Sequence, residues 1–421
     1  MRIWRKLSSN YDKRILLFLG VLSINIIVFW LAAAVTDWES TRTSLFRWHH
    51  WFFMDWFGEL HRIQTGIYTG EDIANYPAFC FLIFRIFYSL LPENEGVIYD
   101  DFNIRAMQSS VIPFAVFMVV LFFCFYHIFR YQMRSKSTFE REAMAILLLL
   151  SAPFLYVFER GNLIIIALVC TFLYVMLYDS EKKAVRMLSY VCLSIAAAIK
   201  LYPAVFGIFT LLKKRYKETI VLILLGCGTF FVPFAFFGGI DGCIAFFSSI
   251  MGSFETYYDY GFGFDFSIYN LERLIISLCS GYQTSATNIS IIIVLFCLIV
   301  TFICVREFWQ RVCVLSLAIV LLPKFSYFYT TCFLAIPLLY MLQSKERKSH
   351  YLYTCEFLLV FSPWLHIPLE TVNYLGGEEF SHTMGVGHVT MYIGILSLMI
   401  TLLVDGILQR IHKKKAAGKL V

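Results

Sequence analysis

The sequence predicts an all-α polytopic membrane protein: a bundle of about ten to twelve transmembrane helices at roughly 20 residues per span, with juxtamembrane helices in its first outer loop. Three observations predict it. First, hydrophobic residues make up 59% of the 421 residues, charged residues 15%, and mean hydropathy is +0.70. Soluble chains average roughly 45–50% apolar and about 25% charged, and a water-facing surface cannot hide this excess, which rules out a soluble enzyme, a disordered chain, a collagen or a coiled coil. Second, apolar runs of membrane length recur along the chain. Third, the net charge of +6 is segregated rather than spread.

The basic residues justify the order of the spans. Clusters at 2–14, 130–141, 182–186, 213–217, 306–311, 345–348 and 410–419 hold 26 of the 35 lysines and arginines. Positive residues favour the cytoplasmic side, so these clusters predict cytoplasmic loops with both termini inside. The remaining cations, among them Arg62, Arg160, Lys200, Arg273 and Lys324, then fall at or near the outer face. Ile15–Val35 follows a basic segment with no cleavage signal and is read as a retained span leading out. Gln108–Phe129 leads in, Ala143–Phe158 out, Leu163–Tyr178 in, Thr219–Phe237 out, Ile289–Val305 in, Tyr351–Leu365 out and Val389–Val404 in.

Two stretches, 187–212 and 312–343, carry cytoplasmic charge at both ends, and each is too short for two full spans. Each has a lysine and a proline near its middle, Lys200-Leu201-Tyr202-Pro203 and Leu322-Pro323-Lys324-Phe325-Ser326. They read as broken helix pairs turning near the outer leaflet. Irregular backbone at membrane depth survives only inside protein or beside a water-filled cavity, so they point to an outward-facing cavity. Tyr76–Leu91 is placed in the plane of the outer leaflet, because a spanning helix there would invert every later cluster. The chain is read as one integral-membrane domain with large outer loops at 36–107 and 238–288. Trp48, His49, His50, Trp51, Trp56 and Tyr68 in the first loop read as interfacial residues.

The cysteines sit mostly alone in apolar runs and form no CxxC, so they read as small buried residues. No histidine spacing suggests a metal, no cofactor motif appears, and no basic run is interleaved with aromatics as nucleic-acid binding would require. An ionisable group in or beside an apolar run is a functional candidate by default. Asp55 is the candidate general base; Glu59 and Arg62 follow it at i+4 and i+7 on one helical face, although a solvated polar face of an interfacial helix would show the same spacing. Phe158-Glu159-Arg160-Gly161-Asn162 joins two apolar runs. Its Arg160 suits a phosphate, and its Asn162 suits a helix cap or a sugar hydroxyl. Lys200 with Tyr202, and Lys324 with Ser326, Tyr327 and Tyr329, occupy matching places in the two broken hairpins. Cations gathered where a phosphate leaves, beside a carboxylate able to take a hydroxyl proton, would serve transfer from a phosphate-activated donor. His61, His366, His382 and His388 share that side.

Glu159-Arg160-Gly161-Asn162, a membrane run, and then Lys200-Leu201-Tyr202-Pro203 resemble the GN/GQ…K-x-Y-P block of integral-membrane GT-C glycosyltransferases. Glycosyltransferase family 87, which includes bacterial polyprenyl-phosphate-dependent mannosyltransferases, is the nearest; the first mannosyltransferase of GPI-anchor synthesis carries a similar block. Met54-Asp55 through Ile67-Tyr68 to Asn75-Tyr76-Pro77 resembles the family's first outer loop, and Pro323-Lys324-Phe325-Ser326 is similar to a later family element. The resemblance covers about residues 50–340, with Ala78 in place of a second proline and one aspartate in place of a pair.

It implies a GT-C fold, a polyprenyl-phosphate sugar donor, a glycolipid or glycan acceptor, inversion at the sugar, and action within the lipid bilayer of the cell membrane, or of the endoplasmic reticulum in a eukaryote. Asp55 would be the base. Arg160, Lys200 and Lys324 would bind the donor phosphate, and Glu159, Asn162, Tyr202, Tyr76, Ser326 and Tyr327 would contact substrate. A transporter or flippase of lipid-linked sugars would also use broken helices, but it predicts charges on both faces and repeated halves. A polysaccharide polymerase predicts more arginines in the outer loops. A purely structural subunit leaves Lys200 and Lys324 unexplained.

Overall fold

The computed structural model describes residues 11–38, 52–69, 73–92, 99–256, 262–263, 265–282, 285–365, 367–371 and 384–417. Trp48, His49, His50, Trp51, His366 and His382 lie outside these residues. Among the described residues the chain is helical, with only two isolated bridges, Asp265 with Tyr327 and Pro368 with Gly385. Lys13–Val35 (α1), Gln108–Gln132, Tyr216–Phe236 and Val386–Ile411 are long and apolar enough to cross a membrane. Ile24, Leu31, Val119, Leu224 and Ile400 on these helices are exposed. Helices that remain hydrophobic on the face turned away from their neighbours fit a lipid solvent. The protein is therefore a polytopic membrane protein.

The expected single span at 143–158 is instead a bent pair, Thr138–Leu149 followed by Ala152–Arg160. The first helix starts on a capping box between Ser137 and Glu140. At the break the Ser151 hydroxyl turns back onto the Leu148 carbonyl, 2.6 Å, and Pro153 follows, which brings no amide hydrogen to continue the ladder. The stretch 78–88 is one helix of eleven residues, Ala78–Tyr88. At 1.5 Å per residue it is far short of the roughly 30 Å hydrocarbon core. Both expected broken hairpins are broken. Lys183–Ile199 ends at Lys200 and resumes as a 3₁₀ turn, Tyr202–Gly207, with Pro203 in its first turn. Phe308–Leu321 ends before Pro323 and resumes at Phe328–Leu334.

The chain gathers into two compact units. The first comprises Met1–Arg47, Phe125–Tyr156 and Tyr257–Val421. Its core includes Val312, Leu317, Phe333, Leu339, Tyr353 and Phe361, all fully buried. Its loop at 324–326 is tied to residues 265–267: Ser326 N donates to Asp265 Oδ1 (2.9 Å), Phe266 N to Ser326 O (2.8 Å) and Ser267 Oγ to Lys324 O (3.1 Å). The second unit comprises Trp48–Cys124 and Val157–Thr256. It holds Met54–Thr65 (α2), Ala78–Tyr88 (α3), Ile164–Leu177 (α4), Lys183–Ile199 (α5) and Tyr216–Phe231 (α6). The helix α5 packs between α4 and α6, and α2 packs on α3. Trp56 and Tyr68, expected at the interface, are buried instead. Trp56 is wedged among Phe84, Phe87, Phe114 and Phe117 at centroid distances of 4.7–5.2 Å. Tyr68 stacks on Phe234. The aromatics of this loop build a core of their own, and the gain from burying such large rings exceeds what an interfacial position offers.

Candidate active site

The site of the second unit begins with a left-handed turn at Gly161 that favours glycine. The helix Ala152–Arg160 stops at Gly161, whose φ is +64°. A Cβ there would meet Trp56 Cβ at 3.1 Å and the Phe114 ring at 3.2 Å. Glycine pays no steric penalty in the left-handed region, whereas other residues cost roughly 1–2 kcal/mol. The turn lets Arg160, at the end of one helix, and Asn162, at the start of the next, face the same side chain. That side chain is Asp55, in the first turn of α2. Phe53, itself at a positive φ, donates its amide to the Glu159 carbonyl at 2.8 Å, which ties the start of α2 to the end of the preceding helix.

Asp55 Oδ1 accepts from the Arg160 guanidinium. Its Oδ2 accepts from Asn162 Nδ2 at 2.7 Å, and the same amide nitrogen donates to the Tyr76 hydroxyl at 2.6 Å. Asn162 Oδ1 in turn accepts from Ile164 N at 2.8 Å and so caps α4. Every polar atom of the Asn162 side chain is engaged, and its rotamer is fixed. Tyr76 is held at both ends, since its carbonyl accepts from the Tyr68 hydroxyl at 2.7 Å. The Lys200 ammonium lies over the Tyr76 ring, 4.1 Å from its centroid, a cation–π contact. The break in the backbone after α5 is what frees Lys200 to point there.

Asp55 retains 15% of its side-chain surface, against 7% for Arg160. The carboxylate is accessible, while its counter-charge is nearly enclosed. Burial pushes the Asp55 pKa up. The charge and hydrogen bond of Arg160, the hydrogen bond from Asn162 and the charge of Lys200 outweigh it and hold the carboxyl below its usual 3.8. It is therefore ionised at neutral pH.

Seven of the sequence-predicted residues thus fall in this one unit: Asp55, Tyr76, Glu159, Arg160, Asn162, Lys200 and Tyr202. Glu159 is buried and joins through its backbone; Tyr202 opens the 3₁₀ turn after Lys200. Lys324, Ser326 and Tyr327 belong to the first unit. There Lys324 is exposed with its ammonium 5.8 Å from the Tyr269 ring centroid, Ser326 bonds Asp265 and Thr330, and Tyr327 stacks on Tyr329. Glu59, one turn beyond Asp55, is 6% exposed and accepts from Arg62 at 2.6 Å, so the acidic face of α2 turns inward rather than into solvent. His61 and His388 make backbone contacts, to Tyr99 O and Gly385 N. Asp265, which no spacing marked, is a buried carboxylate of the first unit, as are Glu140 and Glu356. A lone aspartate before Phe266-Ser267 signals a local turn at most.

The second unit thus links an ionised carboxylate, a guanidinium and an amide directly, with an ammonium on the neighbouring Tyr76 ring. Residues 75–328 match glycosyltransferase family 87, and the chain belongs to that family, a GT-C-type family of glycosyltransferases. No curated protein and no solved structure matches the chain. The matched stretch contains Tyr76, Arg160, Asn162, Lys200 and Lys324 and begins downstream of Asp55, which is joined to it by the hydrogen bonds from Arg160 and Asn162. Membership separates the chain from the transporter and structural-subunit readings.

Proposed function

We propose that this glycosyltransferase moves one hexose, mannose being the sugar its family resemblance suggests, from a polyprenyl phosphate to a lipid-linked or polysaccharide acceptor. It does so with inversion, at the outer face of a cell membrane, on a GT-C bundle of about ten to twelve spans with cytoplasmic termini. The single observation that carries the reading is the contact of Asp55 with Arg160 and Asn162, with Lys200 one aromatic ring away.

The chemistry follows from the charges. Arg160 and Lys200 receive the donor phosphate. When the acceptor hydroxyl attacks the anomeric carbon, the bond from that carbon to the phosphate oxygen breaks and its electron pair stays on the phosphate. Positive groups aimed at that oxygen stabilise the transition state more than the ground state. The hydroxyl proton passes to Asp55. A carboxylate paired with a guanidinium is a weak base. A phosphate that draws Arg160 toward itself takes the nearest counter-charge from Asp55 and strengthens it as a base at the moment donor is bound. Donor binding would then precede productive acceptor binding.

The test is to incubate purified protein with a panel of polyprenyl-phosphate sugars and candidate acceptors and to follow polyprenyl phosphate release and anomeric configuration. Acceptor-dependent release with inversion is expected. Transfer from nucleotide sugars alone, or retention at the anomeric centre, would overturn the reading.

A further inference from the structure

The first unit holds a buried acid that the transfer chemistry does not use. Phe308–Leu321 (α7), Ser349–Phe361 (α8) and Val386–Ala417 (α9) belong to this unit, and α8 packs on α9. Glu356 of α8 is 3% exposed and lies within a stretch expected to span the membrane. Its Oε1 accepts from the Thr401 hydroxyl of α9 at 2.6 Å, whereas its Oε2 has no hydrogen-bond partner among the described residues. The charged group acting on it among those residues is Asp405, which has the same sign. Asp405 follows Thr401 by one turn of α9, about 6 Å along the axis, and accepts from the Tyr353 hydroxyl of α8 at 2.8 Å. A lone buried carboxylate beside a like charge is costly enough that such a group takes up a cation or a proton instead. The helices approach too closely beside it to admit an ion with its oxygen ligands: a Cβ on Gly394 of α9 would meet Leu359 Cβ at 2.8 Å and the Glu356 carbonyl at 3.0 Å. A proton needs no such room.

The same two helices carry a route for that proton. Ser397, Thr401 and Asp405 recur every fourth residue and share one face of α9, and Tyr353 and Glu356 are three apart on α8. Ser397 neighbours the Glu356 carboxyl, and its own hydrogen goes to the Gly394 carbonyl at 3.2 Å, so its oxygen can accept the Oε2 proton. Beyond Tyr353 lies charge. Its ring packs edge-on against Trp309 of α7 at 4.9 Å, Trp309 donates to Glu307 at 2.5 Å, and Arg14 of α1 reaches His350 Nδ1 at 2.7 Å. Asp405 is half-buried and stands between this charged end and Glu356. Among the described residues α7 also brings the Cys313 thiol near Glu356. On the other helices packed on α8, the neutral Asn25 of α1 donates to Ser362 at 2.9 Å, and Tyr340 of Ala335–Gln343 turns to Phe308. We infer that the seam between α8 and α9 is a proton-binding site: Glu356 carries the proton on Oε2, and Asp405 with Tyr353 exchanges it with water at the charged end of the unit. One O–H bond forms at Glu356 and one breaks at the group that passes the proton on. The inference stands apart from the transfer reaction, whose groups belong to the other unit.

The experiment reads the carboxyl itself, by infrared spectroscopy on the full-length protein at neutral pH. The difference between wild type and Glu356→Gln is expected to show the C=O stretch of a protonated acid, which isotope-labelled glutamate moves and deuterated water lowers. Glu356→Gln has the shape of the neutral acid and can still accept from Thr401, so it should insert and melt like wild type. A carboxylate band in place of the acid band would overturn the inference. Should Glu356→Gln not fold, Thr401→Val gives the same decision. It deletes the hydroxyl donated to Oε1 and should raise the frequency of the acid band in the labelled protein; an unmoved band would assign the signal to another carboxyl and refute the site. The route has its own readout. After dilution into deuterated water the band should shift about a hundredfold more slowly in Asp405→Asn and in Tyr353→Phe, the low end of what a positioned proton-transfer group contributes. Exchange at the wild-type rate in both variants would remove Asp405 and Tyr353 from the site and refute the connection to the charged end.

Discussion

The two lysine–proline breaks look alike in sequence and differ in what surrounds them. After α5, Lys200 is half-buried, its ammonium lies 4.1 Å from the Tyr76 ring centroid, and the Tyr76 hydroxyl leads through Asn162 to Asp55. At the second break, Lys324 is exposed, and what is tightly held is its backbone, through Ser267 and the Asp265–Ser326 contact. Each region has a carboxylate. Asp55 faces cationic and amide side chains and stays partly open. Asp265 is 5% exposed and directs its oxygens at the amides of Ser267 and Ser326 and at the Ser267 hydroxyl. An acid that accepts from backbone amides shapes a loop, whereas an acid that accepts from movable side chains can exchange its partners for a substrate.

The largest expected effect tests that division. Asp55→Asn keeps the shape and removes the base, and a general base contributes about 10²–10⁴-fold. Transfer should fall by that factor with the melting temperature nearly unchanged. Asp265→Ala should keep transfer within about threefold and lower the melting temperature, since it removes the Oδ1 that accepts from the Ser267 and Ser326 amides, and a buried amide left without its acceptor costs about 1–3 kcal/mol. Measuring both rate and melting for both variants decides the matter; loss of rate in both with no loss of stability would erase the contrast.

The lysines come next. Lys200→Ala removes a charged contact worth about 1.5–3 kcal/mol, or about 10–100-fold, and should raise the donor KM with little change in the acceptor KM. Lys324→Ala should stay within about threefold. A donor defect in Lys324→Ala as large as that of Lys200→Ala would instead assign Lys324 to the phosphate, as the sequence pattern expects.

These contrasts show what was legible. Charges stranded in apolar stretches marked Asp55, Arg160 and Lys200, because burying an ion without a role is costly, and the helices break at both lysine–proline positions as the sequence pattern expects. What pairs with what was not legible. Arg160 read as a cation awaiting phosphate, and it is bonded to Asp55. Trp56 read as interfacial, and it fills the pocket beneath the site. Asp265 gave no signal because its partners are backbone amides, which every residue has. Gly161 was visible only as part of a motif, and its reason is a left-handed turn against Trp56 and Phe114.

That turn supplies the third prediction. Gly161→Ala places a methyl at 3.1–3.3 Å from Trp56 and Phe114 at φ +64°. Strain of about 1–2 kcal/mol should appear as a lower melting temperature, together with about a tenfold loss of transfer as Arg160 and Asn162 are moved off Asp55. Gly281, also at positive φ but with nothing within 4 Å of its Cβ, is the control. Gly281→Ala should carry the backbone strain alone and leave transfer unchanged.

The smallest effect is in pH, where the two carboxylates should move in opposite directions. The charge of Arg160 holds Asp55 below 3.8 despite burial, so its stabilising contribution is complete above the unfolded value and is lost only as pH falls through the lower folded one. Burial dominates at Asp265 and pushes its carboxyl up to about 6 against the hydrogen bonds from Ser267 and Ser326 and the charge of Arg273. A raised pKa contributes stability that is present below the unfolded 3.8 and is lost as pH rises through about 6. Between these values the melting advantage of wild type over Asp265→Ala should shrink by a few degrees as pH rises, while the difference between wild type and Asp55→Asn stays flat. A flat Asp265 difference across that window would mean that its carboxylate is as well paired as that of Asp55, and the distinction between a loop-shaping acid and a partner-exchanging one would then have to rest on the transfer rates alone.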